Sequence, residues 1–130
     1  MILRKILIAK IQNAKVTSKN LHYIGSISID KKIMFRAGII PWEEVLVANI
    51  SNGERFITYA IPSDKTGEIC LNGAAARKGE IGDKLIIFAF AYVSKEDILK
   101  THPRVIVLNE KNEIIKEIQL NISQEFLKQF

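Results

Sequence analysis

Gly25-Ser26 is the place in the chain where residue types and order point to unusual chemistry. A serine hydroxyl group can attack the carbonyl group of the preceding residue through a five-membered ring, which turns the amide into an ester. Removal of the serine α-proton then expels the carboxylate and leaves dehydroalanine, whose hydrolysis produces a pyruvoyl group. Glycine suits the donor position because it tolerates strained backbone dihedral angles. Most Gly-Ser pairs are turns, so the pair alone is weak support.

Conventional catalytic signatures are missing from the rest of the sequence. The only histidines, His22 and His102, lack the spacing of a metal-binding pair. There is no nucleophile elbow, no Walker A loop and no dinucleotide fingerprint. The carboxylates are scattered over turns, which leaves a paired-acid mechanism without an obvious position. The chain is therefore either a binding module or an enzyme with less common chemistry.

The composition fits a single folded domain over residues 1–130. The chain is 48% hydrophobic and 25% charged, with only 7 Gly and 3 Pro, which argues against disorder. Cys70 is the only cysteine, which excludes an intrachain disulfide and a thiolate-rich zinc site and favours a reducing compartment. The uncharged apolar run from Ile6 to Ala9 is too short for a signal peptide or a membrane span.

A formal net charge of +5 leaves several classes of partner open. It fits nucleic acid, an anionic surface or a small anionic substrate. The basic residues are spread along the chain and aromatic residues make up only 8%, so a nucleic-acid footprint is weakly indicated. A solvated basic surface explains the charge equally well.

Short β-rich runs separated by turn signals must position any site. Strands are predicted over residues 2–11, 26–30, 45–50, 55–61, 68–71, 84–93, 105–108 and 114–120. Asn52-Gly53 predicts a hairpin between two of these strands, and residues 110–113 predict a second. The pattern predicts an all-β barrel with minor helices.

Three short helices are predicted from capping signals. Asp30 should cap a helix over residues 31–37 that Gly38 ends. The spacing from Ser94 to Asp97 is that of a capping box, which opens a helix that stops before Pro103. A terminal helix is predicted over residues 123–130.

Strand alternation in the first predicted hairpin separates candidate site residues. Arg55 and Tyr59 fall on one face, and Thr58 falls on the other unless the strand twists or bulges there. Taken singly, Arg55 is typical of a solvated strand position and Tyr59 of an aromatic residue at the edge of a core.

Four blocks of the sequence together resemble the pyruvoyl-dependent aspartate 1-decarboxylases. Residues 17–30, which contain Gly25-Ser26, resemble the self-cleavage region of that family. Residues 49–61, residues 72–76 and Gly82-Asp83 continue the resemblance in the family's order and spacing. The similarity spans most of the chain to about Leu120, and the tail beyond it is uninformative.

The resemblance implies a mainly β fold, a six-stranded double-psi β-barrel with short helices, that assembles as a homotetramer with active sites between subunits. It implies self-cleavage between Gly25 and Ser26 into a small β chain, residues 1–25, and a large α chain, residues 26–130. The α chain would begin with a pyruvoyl group derived from Ser26, which forms a Schiff base with L-aspartate and accepts the electrons that decarboxylation releases. Neither a metal nor pyridoxal phosphate is expected.

Roles of further residues follow from matching position in the family. Tyr59 is expected to be the proton donor, and Lys10 and Arg55 are expected to hold the carboxylates of the substrate. Thr58 is expected to assist the acyl shift by a hydrogen bond to the Gly25 carbonyl group, and to bind substrate.

Asn72 and the small residues after it complete the implied site. Asn72 is expected to orient the intermediate. Backbone groups are expected to line the substrate site at Gly73, Ala74 and Ala75, where small residues allow close approach.

The chain departs from the family pattern at three positions. Gln12 replaces a basic residue, Ala48 stands where some relatives carry tryptophan, and Arg77 stands where some carry histidine. These differences bear on pocket packing and maturation rate and leave the reaction type unchanged. Some relatives need an accessory maturation factor, and the sequence leaves open whether this chain does.

The sequence thus predicts a cytoplasmic lyase that makes β-alanine and CO2 from L-aspartate for pantothenate and coenzyme A synthesis. No nucleic-acid or membrane partner is expected. Two alternatives remain at this point: a basic β-barrel that binds nucleic acid, and a relative of the decarboxylases that folds without processing itself.

Overall fold

Strands dominate the computed structural model, which describes residues 1–130. The strands are β1 (Leu3–Lys15), β2 (Ser18–Asn20), β3 (Ser26–Asp30), β4 (Glu44–Asn49), β5 (Arg55–Ser63), β6 (Ile69–Asn72), β7 (Lys84–Ser94), β8 (Arg104–Leu108) and β9 (Ile114–Gln119). All nine belong to one sheet in the order β2-β6-β3-β5-β4-β7-β1-β8-β9. The mainly β character predicted from the sequence is therefore confirmed. None of the helices has the length and apolar character needed to cross a membrane.

Parallel and antiparallel pairs are mixed in this sheet. β1 pairs parallel with β8, β2 with β6, and β3 with β5. The other pairings are antiparallel, and they include both hairpins predicted from the turn signals, β4–β5 and β8–β9. The parallel pairs join segments that are distant in the sequence. The parallel β3–β5 pair and the antiparallel β3–β6 pair together place β3 between β5 and β6.

The core lies on one face of the strands. Residues that alternate along β3, β4 and β7 are almost fully buried in it: Ile27, Ile29, Val45, Val47, Leu85, Ile87 and Ala89. The opposite face of the sheet is less covered, since Ile57 on β5 is 64% exposed and Tyr92 on β7 is 70% exposed. Alternation thus divides β5 as predicted, with Phe56 and Ala60 toward the core and Ile57 away from it.

The helix predicted after β3 is confirmed. Helix α1 covers Lys31–Ala37, the Asp30 carboxylate accepts the N–H of Lys32 at 2.8 Å, and Gly38 ends the helix at φ +79°. The second carboxylate oxygen of Asp30 accepts the N–H of Gly67 at 2.8 Å. The cap of α1 therefore also ties β3 to the loop before β6.

The other predicted helices differ in type or length. Lys95–Lys100 forms a 3-10 helix, and the Ser94 hydroxyl group bonds to the Asp97 carboxylate at 3.2 Å instead of capping a backbone N–H. The predicted capping box is therefore wrong, because Ser94 caps no backbone N–H. The helix that follows it is a short 3-10 helix that ends before Pro103. Helix α2 is shorter than predicted and covers Gln124–Leu127. A 3-10 helix that the sequence did not predict covers Gly73–Lys78.

Candidate active site

Ser26 is the first residue of β3 and is 1% exposed. Its hydroxyl group donates to the backbone carbonyl oxygen of Ile24 at 3.1 Å and accepts an N–H of the Asn72 side chain at 3.0 Å. Asn72 lies directly opposite Ser26 in the antiparallel β3–β6 pair. The predicted nucleophile is therefore buried, with both its proton and a lone pair engaged.

Gly73 packs against the backbone of Gly25, the residue that precedes the bond predicted to break. A Cβ atom on Gly73 would lie 2.6 Å from Gly25 Cα and 2.8 Å from Gly25 N, and Gly73 has φ +62°. Gly25 does not have a positive φ, and a Cβ atom there would have no neighbour within 4 Å. The strained glycine expected at position 25 is thus found at position 73, where close approach and backbone angle both require it.

The residues after Asn72 turn away from the strand in the first 3-10 helix. Asn72 is 2% exposed, and Ala75 is also buried, whereas the side chain of Ala74 is exposed. The short helix therefore brings the backbone of Gly73 against the loop that precedes Ser26. This is the region in which the sequence analysis expected Gly73, Ala74 and Ala75 to line the site.

Strand β5 brings Tyr59 and Thr58 to the other side of β3. The parallel β3–β5 pair begins where Ile27 is matched with Ala60. Tyr59 and Thr58 directly precede Ala60 on β5, and Ser26 directly precedes Ile27 on β3. In this uncleaved chain the Ser26 hydroxyl group donates to Ile24 and accepts from Asn72. Thr58 takes no part in these two hydrogen bonds.

Tyr59 has an aromatic neighbour that the sequence analysis missed. The Trp42 and Tyr59 rings have centroids 5.7 Å apart and planes inclined by 31°. Trp42 precedes β4, has φ +75° and is otherwise largely exposed. The contact braces the Tyr59 ring on the less covered face of the sheet.

Lys10 lies on a different strand from the other predicted site residues. It belongs to β1, where it pairs with Phe88 of β7, and its ammonium nitrogen lies 5.7 Å from the Phe88 ring centroid. β4 and β7 separate β1 from β5, which carries Arg55. Three inter-strand spacings put about 14 Å between the backbones of β1 and β5, and the register Lys10–Phe88–Leu46–Ile57 places Lys10 on the same sheet face as Arg55.

A hydrogen-bonded cluster around the Asp83 carboxylate supports the end of the 3-10 helix that follows Asn72. The Asn49 side-chain amide donates to Asp83 at 2.9 Å and to the backbone oxygen of Lys78 at 3.2 Å. The N–H of Glu80 donates to the same Asp83 oxygen at 2.9 Å. The bond from Asn49, followed by that from Glu80, holds the pKa of Asp83 below its ordinary value.

We expect acid to weaken the fold partly through Asp83. Because the pKa of Asp83 is lower in the folded chain than in the unfolded one, its carboxylate stabilises the fold above about pH 4. This contribution is lost as the pH falls through the folded pKa. Asp83→Asn should therefore lower the Tm at neutral pH and reduce the fall of Tm between about pH 5 and about pH 2.

Thermal unfolding followed by circular dichroism tests the Asp83 prediction. Asp64→Asn is the control, because Asp64 pairs only with Lys31 at an exposed site and should leave the acid response unchanged. Parallel curves of Tm against pH for the wild type and Asp83→Asn would contradict the prediction.

Comparison with known proteins adds an independent finding. A family described as Aspartate decarboxylase matches residues 2–115 of the chain. The aspartate 1-decarboxylase of Acaryochloris marina is 45% identical over 115 residues, which cover 88% of each chain. That of Caldicellulosiruptor bescii is 47% identical over 113 residues (86% of this chain, 88% of the relative), and that of Thermosipho africanus is 49% identical over 109 residues (83% and 89%). The match over residues 2–115 includes every site residue described above.

Proposed function

Because the chain belongs to the aspartate decarboxylase family, we propose that it converts L-aspartate to β-alanine and CO2 with a pyruvoyl group formed from its own Ser26. The names of its relatives support the reaction. The observation that carries the proposal is the buried Ser26 hydroxyl group, held between the Ile24 carbonyl oxygen and the Asn72 amide. The β-alanine would supply pantothenate and coenzyme A synthesis in the cytoplasm.

Self-cleavage in this proposal begins with an acyl shift at Ser26. The Ser26 oxygen bonds to the Gly25 carbonyl carbon, the Gly25–Ser26 amide bond breaks, and the freed nitrogen takes the hydroxyl proton. Loss of the Ser26 α-proton then forms a Cα–Cβ double bond and breaks the Cβ–Oγ bond, so Gly25 leaves as a carboxylate. Water adds at the Ser26 Cα and ammonia departs, which leaves residues 1–25 and a pyruvoyl group on residues 26–130.

The surroundings of Ser26 fit such a group. An N–H of Asn72 already points at the Ser26 oxygen, where negative charge arrives when the Cβ–Oγ bond breaks. The pyruvoyl group would supply an electron sink for decarboxylation of a bound amine. The small residues after Asn72 let backbone N–H groups approach a ligand there.

Tyr59, Arg55 and Lys10 would act on the substrate. Tyr59 lies one strand away from Ser26 and can donate its phenolic proton to the α-carbon that loses CO2. The guanidinium group of Arg55 can hold a carboxylate through two hydrogen bonds, and the ammonium group of Lys10 adds a second positive charge. In this proposal Thr58 helps to polarise the Gly25 carbonyl group.

A second copy of the chain would complete the site. In this proposal Lys10 and Arg55, on the same face of the sheet with about 14 Å between their strands, line a site that neighbouring copies share. The exposed Ile57 and Tyr92 on that face favour such an assembly. We propose a homotetramer of single-domain chains, each a six-stranded double-psi β-barrel, for which the parallel pairs of the sheet give support.

Intact-mass measurement of purified protein is the direct test of the proposed function. Warming should convert the chain into two fragments that divide after Gly25, the larger one lacking an N-terminal amine. β-Alanine should form from aspartate only after the fragments have appeared. A chain that stays whole on prolonged warming, with and without an extract that supplies a maturation factor, would favour a relative that folds without processing.

Gly73→Ala should slow self-cleavage strongly. The added methyl group would lie 2.6 Å from Gly25 Cα, so the loop before Ser26 must move. We expect a decrease of at least about tenfold in the cleavage rate, together with a lower Tm from the positive φ.

Gly53→Ala separates the two effects of the Gly73 substitution. Gly53 has φ +78°, but a Cβ atom there meets nothing within 4 Å, so this variant carries the backbone strain without the collision. A time course of fragment formation should therefore show normal cleavage for Gly53→Ala. Equal cleavage rates in both variants would contradict a special role for the Gly73–Gly25 contact.

A further inference from the structure

A hydrogen-bonded cluster connects Cys70, Asn72, Ser28 and Ser26 across β6 and β3. The Cys70 thiol donates to the Asn72 side-chain oxygen at 3.2 Å. The Asn72 nitrogen donates to Ser28 Oγ at 2.8 Å and to Ser26 Oγ at 3.0 Å. Cys70 and Asn72 alternate on β6 opposite Ser28 and Ser26 on β3, so the four side chains share one face of this strand pair.

The cluster determines which way the Asn72 amide points. An asparagine side chain has an oxygen that accepts and a nitrogen with two protons to donate. The Ser26 proton is given to Ile24, so the Ser26 oxygen is left to accept, and it needs the nitrogen end of Asn72. Ser28 takes the second amide proton, and the Cys70 thiol occupies the oxygen end.

We propose that Cys70 and Ser28 are positioning residues that hold an N–H of Asn72 on the Ser26 oxygen during self-cleavage. The inference rests on the proposed function and adds two residues to it. An amide that turned over would present its oxygen to the Ser26 oxygen, which becomes negative as Gly25 leaves. Repulsion would then replace a charge-assisted hydrogen bond at the step where that bond matters most.

The same cluster accounts for the choice between the two serines. Ser28 contacts the same amide nitrogen as Ser26, yet it lies inside β3. Ile27, which precedes it, is paired with Ala60 on one side and Leu71 on the other. Gly25, which precedes Ser26, lies before the strand begins. Ser28 is therefore an anchor for the amide, and Ser26 adjoins a carbonyl group that lies outside the paired strand.

The test is the rate of self-cleavage in variants of the purified chain, followed by intact mass at one temperature. Cys70→Ala removes the donor to Asn72 and should slow cleavage by about tenfold, the worth of one hydrogen bond. Cys70→Ser restores a hydroxyl donor and should return the rate to near that of the wild type. Ser28→Ala should be slow, and Ser28→Thr should recover.

Ser18→Ala is the matched control. Ser18 pairs with Cys70 from β2 on the other side of β6, and its buried oxygen has no hydrogen-bond partner. Its removal should leave the cleavage rate unchanged. The Tm of every variant is measured in parallel, because a merely structural effect would lower the Tm without following the donor chemistry at position 70.

Two results would overturn the inference while the proposed function stands. One is wild-type cleavage rates in Cys70→Ala and Ser28→Ala. The other is a Cys70→Ser variant as slow as Cys70→Ala, which would show that the size of sulfur matters and its proton does not. A wild-type chain that never cleaves would instead refute the proposed function, and the inference with it.

Discussion

Replacing Ser26 with alanine is expected to abolish both self-cleavage and β-alanine formation. Without the hydroxyl group there is no ester route through the Gly25–Ser26 bond, and no pyruvoyl group can form. The fold should survive, because Asn72 keeps Ser28 as a partner when the Ser26 oxygen is lost. A denaturing gel should show one band of full length after a warming period that converts the wild type completely.

A control variant and the result expected of the alternative function make the Ser26 test specific. Ser18→Ala removes a hydroxyl group from β2, which β6 separates from β3, and should cleave normally, which excludes a general effect of serine loss. A Ser26→Ala chain that still divides after Gly25, or still consumes aspartate, would refute the proposed chemistry. A nucleic-acid-binding barrel would instead show salt-dependent binding that persists in this variant.

Tyr59→Phe is expected to separate maturation from catalysis. The ring and its contact with Trp42 remain, so cleavage after Gly25 should proceed at close to the wild-type rate. Loss of the phenolic proton should lower kcat for decarboxylation by about 10²- to 10⁴-fold, the usual worth of a positioned general acid. KM should change much less, because the substrate carboxylates are held by other residues.

The fragment ratio and the initial rate of β-alanine formation, measured on the same preparation, test the Tyr59 prediction. Tyr92→Phe removes a phenolic hydroxyl group from an exposed position on β7 and should leave both quantities unchanged. Unchanged turnover in fully cleaved Tyr59→Phe would remove Tyr59 from the role of proton donor.

Elements whose signals are local were predicted well from the sequence. Asp30 and Gly38 bound helix α1 at the expected residues, because a cap and a left-handed terminus act within one turn of the helix. The Asn52-Gly53 turn lies between β4 and β5 as expected, since hairpin geometry depends on the turn residues themselves. The Ser94 capping box failed because the segment before Pro103 is held as a short 3-10 helix.

The candidate site also contains some residues that the sequence analysis predicted and others that it missed. The Gly25-Ser26 pair alone is weak support for self-cleavage, and the family resemblance supplied that prediction together with the roles of Tyr59 and Asn72. The missing partners were Cys70, Ser28 and Trp42. For Cys70 and Ser28 the only advance signal was the alternation at positions 26 and 28 and at positions 70 and 72, and the sequence does not show that these two strands are neighbours. Trp42 had no such signal.

The sequence by itself determined the strand faces, the capped helix α1 and the hairpins, and it singled out the Gly25-Ser26 pair as the candidate for cleavage. Only the tertiary structure decided that β3 lies between β5 and β6, that the strained glycine is Gly73, and that Lys10 lies several strands away from Arg55. The physical reason is that alternation with a period of two residues specifies which side of a strand is buried but not which strand lies beside it. Asn72 and Ser26 are 46 residues apart in the chain, and their hydrogen bond exists only because the core holds β6 against β3.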